Sequence, residues 1–95
     1  RFMLMVQPWE DGAGRTAQAC NHMGTGRLQS IRRDWNPRYH DLVEGFGQAT
    51  GVPVLMNTSF NLRGEPMVAS PGDAVKTFYR SGIDVLVIEN CVIRK

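Results

Sequence analysis

Apolar residues fall in short runs separated by polar, glycine-bearing stretches, and the spacing within each run changes along the chain. Phe2-Met-Leu-Met-Val6 is unbroken and predicts a strand. Pro8 and Glu10-Asp-Gly-Ala-Gly14 then open a loop predicted to continue to about Gly26. A loop of that length in so small a domain is either functional or completed by contacts from elsewhere. Arg27-Leu-Gln-Ser-Ile31 alternates and predicts a second strand. After Asn36-Pro37, a pairing that caps and starts a helix, Tyr39, Leu42, Val43 and Phe46 recur at i, i+3, i+4 and i+7 and predict a helix closed at Gly51. Gly45 and Gly47 weaken its intrinsic propensity by about 1 kcal/mol each, so packing of the apolar face has to hold it.

Val52-Pro-Val-Leu-Met56 is almost wholly apolar and predicts a strand covered on both faces, with Pro53 at its start or on an edge. It delivers a polar run that begins at Asn57, and Met67-Val68 is a candidate short return strand. Ser70-Pro-Gly-Asp73 is a second helix start in the S-x-x-D capping pattern, followed by Ala74, Val75, Phe78 and Tyr79 on one face, with Gly82 to close it. Asp84 to Ile88 predicts the last core strand, and Cys91-Val-Ile93 a short hairpin arm or extension. The order β, β, α, β, (β), α, β predicts an α+β (α/β two-layer) domain with a mixed sheet and two main helices.

Composition narrows the class. Ninety-five residues, 42% hydrophobic and 21% charged, suit one small domain over 1–95 with enough apolar material for a core. The net charge of +2 comes from 11 basic and 9 acidic residues spread along the chain, which fits a small anionic ligand better than nucleic acid. No apolar run approaches the roughly 20 residues of a membrane span, and no signal-peptide pattern is present, so a soluble cytoplasmic chain is expected, without a membrane partner. Cys20 and Cys91 lack the spacing of a zinc or redox motif and read as free thiols. His22 and His40 form no metal motif, so no metal site is expected within the chain. The chain begins at Arg1 and runs at once into an apolar stretch, which leads us to expect a piece of a longer protein.

The chemistry concentrates in Asn57-Thr-Ser-Phe-Asn61-Leu-Arg63-Gly-Glu65-Pro66. Ligands of open α/β sheets bind beyond the carboxyl ends of strands, where this run is predicted to lie. Asn57 and Asn61 offer donors and acceptors, Thr58 and Ser59 offer hydroxyls, and Arg63 can grip a phosphate or carboxylate bidentately. The alternative is a turn that satisfies its own backbone through Asn, Ser and Thr side chains. Glu65 could contact a magnesium ion or serve as a turn carboxylate. Trp9 and Trp35 could stack on an adenine or pack at a core edge.

The same run closely resembles a signature of the O-carbamoyltransferases that modify nodulation factors, cephalosporins, aminoglycosides and ansamycins. Here it reads Thr50-Gly-Val-Pro-Val-Leu-Met-Asn-Thr-Ser-Phe-Asn-Leu-Arg-Gly-Glu-Pro-Met-Val68. Phe2-Met3-Leu4 resembles the strand opening that family's C-terminal domain, and Gly24-Thr-Gly-Arg-Leu-Gln-Ser-Ile31 resembles its second segment. Asn36-Pro37-Arg38-Tyr39-His40-x-Leu42, Ser70-Pro-Gly-Asp-Ala74 and Ser81-Gly-Ile-Asp84 follow in the family's order. One departure is Met23, where the family usually has Asp.

The resemblance implies a YrdC-like domain that joins carbamoyl phosphate and ATP, with Mg2+, to form carbamoyladenylate and pyrophosphate. It also implies a partner N-terminal Kae1-like domain of the same protein, which would hold a metal ion through histidines and transfer the carbamoyl group to an acceptor hydroxyl. On this reading Asn61 and Arg63 are the catalytic candidates, and Arg27, Arg38, Asn57, Thr58, Ser59 and Ser70 bind substrate or nucleotide. A homodimer is compatible with the sequence. The rival expectations are a non-catalytic structural or ligand-binding module of a larger protein and, more remotely, an RNA-binding one.

Overall fold

A computed structural model describes residues 2–10 and 12–95. Arg1 and Asp11, the latter in the predicted glycine-bearing loop, lie outside the described residues. The chain divides into two compact units, the first ending at Met56 and the second spanning Asn57–Lys95.

In the first unit, β1 (Val6–Pro8) pairs antiparallel with β2 (Thr25–Arg27), Val6 facing Arg27 and Pro8 facing Thr25. Between them lie a one-turn helix, α1 (Ala13–Thr16), and a 3-10 turn at Gln18–Cys20, so the long predicted loop carries its own structure. A tight turn at His22–Thr25, an isolated bridge outside the β1–β2 ladder, leads into β2. His22 and Thr25 exchange backbone hydrogen bonds of 2.8 and 2.9 Å across Met23 and Gly24, which both have positive φ. Positive φ at both central positions is the pattern of a type I′ hairpin turn, whose twist matches that of paired strands. The Asn21 side chain supports it by accepting from Gly24 N–H at 3.0 Å.

Two sequence expectations are corrected here. The strands predicted over Phe2–Val6 and Arg27–Ile31 form only where they meet, at Val6 and Arg27. Continuing the register would bring Ser30 opposite Met3, whose φ of 51° lies outside the extended region. Phe2, Leu4 and Met5 are correspondingly exposed.

The helix predicted after Asn36 is present as α2 (Pro37–Thr50). Asn36 accepts from Tyr39 N–H at 3.1 Å and Pro37 occupies the first turn. Gly51 ends it in the left-handed conformation, its N–H donating to Gly47 O at 2.8 Å. Its apolar face is only partly covered within this unit, Tyr39 and Val43 being half-buried and Leu42 and Phe46 exposed. The third predicted strand, Val52–Met56, is also corrected. Pro53 has no N–H to give a ladder, and Val54 N–H folds back onto Val52 O at 2.8 Å, so the chain turns instead of extending. Val54 and Met56 are exposed.

The second unit contains α3 (Pro71–Arg80), β3 (Val85–Ile88) and β4 (Cys91–Arg94). Ser70 caps α3 as its S-x-x-D pattern predicts, accepting from Asp73 N–H. The helix ends one residue before the predicted Gly82, at Ser81, which is extended and whose hydroxyl donates to Phe78 O at 2.9 Å. β3 and β4 form an antiparallel hairpin with Leu86 facing Ile93. The core is Ala74, Phe78 and Leu86, against which Phe60, Val68, Val75, Ile88 and Ile93 pack. Phe78 is fully buried, and Thr77 is buried beside it. Tyr79, predicted on the apolar face, is exposed and meets Phe78 edge to face at 5.2 Å. Met67-Val68 makes a single bond, Val68 N–H to Phe60 O at 2.9 Å, and no strand. The α+β class stands, with the strands of the described residues arranged as two separate antiparallel pairs.

Candidate functional site

The polar run forms a loop closed at its neck by the core of the second unit. Phe60 and Val68 both pack against the Phe78 cluster and are joined by their backbone hydrogen bond. Beyond that neck the chain reverses at Leu62–Glu65, where Glu65 N–H donates to Leu62 O at 3.0 Å. Gly64 takes φ +83° in this turn, a conformation that costs glycine nothing and most other residues about 1 kcal/mol or more. Arg63 precedes it and is exposed, with no ion-pair partner among the described residues.

Asn61 organises the turn from within. Its side-chain NH2 donates to Leu62 O at 3.2 Å and to Glu65 O at 3.0 Å, clasping the carbonyls at both ends. Its Oδ1 is buried and accepts no hydrogen bond among the described residues. Glu65 is half-buried, and its carboxylate accepts from Nη1 of Arg80, in the last turn of α3.

The structure therefore brings Asn61 and Arg63 onto one turn. Asn57, Thr58 and Ser59 are exposed on the stretch leading into it. Ser70 lies at the exit with its hydroxyl engaged in both directions, accepting from Asp73 N–H at 3.2 Å and donating to Asp73 Oδ2 at 2.6 Å. That donated bond holds the Asp73 carboxyl below its ordinary value. Arg27, at the end of β2, and Arg38, in the first turn of α2, are exposed and belong to the other unit. Sequence reasoning missed Arg80. Its partner lies 15 residues away, and no local pattern signals that pairing.

Other candidates are occupied by local contacts. The Trp9 indole lies against Gly14 and Gly26. Trp35 lies under the Arg32 guanidinium, 5.0 Å from the ring centre. His40, Asp41 and Glu44 bring ligand atoms to within 4.8 Å of one another on α2, and Arg33 already approaches Asp41 at 3.4 Å. Cys20 and Cys91 are free thiols, half-buried and exposed respectively. Among the described residues no helix is long and apolar enough to cross a membrane.

Comparison with known proteins places this geometry in a family. The family described as Carbamoyltransferase C-terminus matches residues 1–95. The nodulation protein NolO of Bradyrhizobium diazoefficiens is 40% identical over 99% of the chain and 17% of its own length. NolNO of Sinorhizobium fredii is 41% identical over 99% of the chain and 14% of its own length. A 3'-hydroxymethylcephem-O-carbamoyltransferase of Amycolatopsis lactamdurans is 33% identical over 92% of the chain and 16% of its own length. The chain thus spans only about a sixth of these relatives. With a match along its whole length and relatives of two functional descriptions aligned over nearly all of it, the chain belongs to the carbamoyltransferase C-terminal family.

Proposed function

We propose that the chain acts in O-carbamoyl transfer as the nucleotide-handling domain of a longer enzyme, with a Kae1-like N-terminal domain delivering the carbamoyl group to an acceptor hydroxyl. In the reaction we assign to it, water releases phosphate from carbamoyl phosphate. A carbamate oxygen then attacks the α-phosphorus of ATP, and pyrophosphate leaves. Mg2+ accompanying ATP would screen the triphosphate charge.

The observation that carries this reading is the pairing, on one stapled turn, of a buried acceptor and an exposed cation that find no partner among the described residues. Asn61 Oδ1 suits a donor such as the carbamoyl NH2, and Arg63 suits phosphoryl oxygens, which it can hold bidentately. No nucleophilic side chain is needed, since such transfers are promoted by positioning and by stabilising charge on phosphoryl oxygens. Asn57, Thr58, Ser59 and Ser70 supply further polar groups for substrate and nucleotide, and Arg27 and Arg38 are separate candidates for anion binding in the first unit.

The test is pyrophosphate release by the full-length protein. Release should require both carbamoyl phosphate and ATP. Asn61→Ala and Arg63→Ala should each lower kcat/KM by about 10- to 100-fold, the worth of a hydrogen bond to a charged or buried partner. Full activity in both variants would refute the site.

A further inference from the structure

Arg63 has a carboxylate two residues away on its own turn but no ion-pair partner among the described residues, and that carboxylate is bound elsewhere. Glu65 accepts from Arg80, which stands at the end of a helix fixed by the fully buried Phe78. We infer that Arg80 is a positioning residue that sequesters Glu65, so that the Arg63 guanidinium remains available to an anionic phosphoryl group. The inference rests on the reading of Arg63 given above.

The geometry supplies the reason. Asn61 clasps both carbonyl ends of the Leu62–Glu65 turn, so Arg63 and Glu65 are held close whatever their side chains do. The turn carries one cation, Arg63, two residues from Glu65, and α3 brings a second, Arg80, onto the Glu65 carboxylate. The Arg80 side chain is about half exposed and that of Glu65 about one third exposed. A pair in that setting is weak enough to exchange partners when one is removed. Arg80 therefore decides whether the turn presents a net cation or an internally neutralised pair.

The effect is read in the full-length protein from the KM for ATP in pyrophosphate release, with titration of pyrophosphate as a second, non-catalytic probe. Arg80→Gln should raise KM and weaken pyrophosphate binding by about two- to fivefold, the range available to a partly exposed ion pair. kcat should change less. Arg80→Lys should retain most of the binding. The decisive variant is Glu65→Gln combined with Arg80→Gln, which removes the competitor together with its captor and should restore binding to near the original value.

If the double variant stays as weak as Arg80→Gln, Arg80 only braces the fold and the inference is overturned. Unchanged binding in Arg80→Gln overturns it equally. If Arg63→Ala itself leaves binding unchanged, the phosphoryl role of Arg63 falls first, and the inference falls with it.

Discussion

Phe78→Ala should loosen the second unit more than any other single truncation. The ring is completely excluded from solvent, and with Ala74 and Leu86 it forms the cluster against which Phe60, Val68, Val75, Ile88 and Ile93 pack. Truncating a buried phenylalanine costs about 3–5 kcal/mol, the transfer of the ring plus the cavity it leaves. Five of the seven apolar neighbours are only partly buried and can move inward, so the lower end applies, about 3 kcal/mol. That is a large fraction of the stability of a small domain, about 5 kcal/mol or somewhat more. Phe78→Leu keeps most of the volume and should cost about 1 kcal/mol. Amide hydrogen exchange resolves the difference. The β3–β4 amides should exchange about a hundredfold faster in the alanine variant and less than tenfold faster in the leucine variant. The Val68 amide should follow them, because its bond to Phe60 O closes a loop whose two ends both pack against the cluster that this ring anchors. If the two variants exchange alike, or Val68 is unaffected in Phe78→Ala, the ring does not hold the loop as described.

Two further outcomes follow from local geometry. Ser70→Ala removes the cap of α3 and should cost about 1 kcal/mol. It should also let the Asp73 carboxyl rise toward 3.8, because the Ser70 hydroxyl is the main cause of its depression. A carboxyl depressed in the folded state stabilises it above the unfolded value and loses that contribution as pH falls through the folded one, so the acid side of the stability profile should flatten. An NMR titration of Asp73 checks this, and an unchanged curve contradicts it. At the middle of α2, Gly45→Ala should stabilise by about 0.5–1 kcal/mol because a Cβ there meets open space. The same change at Gly47 should destabilise, since its Cβ would lie 2.7 Å from Pro53 Cβ and 2.9 Å from Pro53 Cα. A melting curve that shifts upward for Gly47→Ala would show that Pro53 does not pack on Gly47.

The helices were legible because their signals are local. Asn36-Pro37 and Ser70-Pro-Gly-Asp73 state where a chain must cap its free N–H groups, and both cap as read. The strands were legible only in part, because an apolar run says nothing about which partner it meets. Phe2–Val6, Arg27–Ile31 and Val52–Met56 all carry strand-like composition, yet only Val6–Pro8 and Thr25–Arg27 pair, and their ladder stops before Met3. The His22–Thr25 turn also gives a physical account of position 23. Met23 sits at φ 51° and is highly exposed, where Asp or Asn is favoured for its tolerance of left-handed backbone. An Asp at this position, as in the family pattern, therefore has a conformational reason to be there, independent of any catalytic one. Cys91–Ile93 reads equally as a hairpin arm or an extension, and it pairs back on β3 as the arm.

For the site, the sequence located the loop but not how much of its hydrogen-bonding capacity the fold itself consumes. Polar residues next to one another are equivalent in a sequence and unequal in a structure. The Ser70 hydroxyl both accepts and donates within the cap of α3. The Asn61 NH2 is consumed by two carbonyls of the turn. The Glu65 carboxylate is engaged by Arg80. Among the catalytic candidates, two groups are left with capacity the described residues do not use: Asn61 Oδ1 and the Arg63 guanidinium. One is a pure acceptor and the other a pure donor, so they select different parts of a ligand rather than competing for one. Asn61 thus has two separable duties, and they fall on different atoms. Asn61→Asp retains an acceptor but forfeits the clasp on the turn, whereas Gly64 substitutions disturb the turn and spare the acceptor. A ligand that needs both groups must therefore tolerate neither change, and one that needs only charge should depend on Arg63 and Arg80 alone.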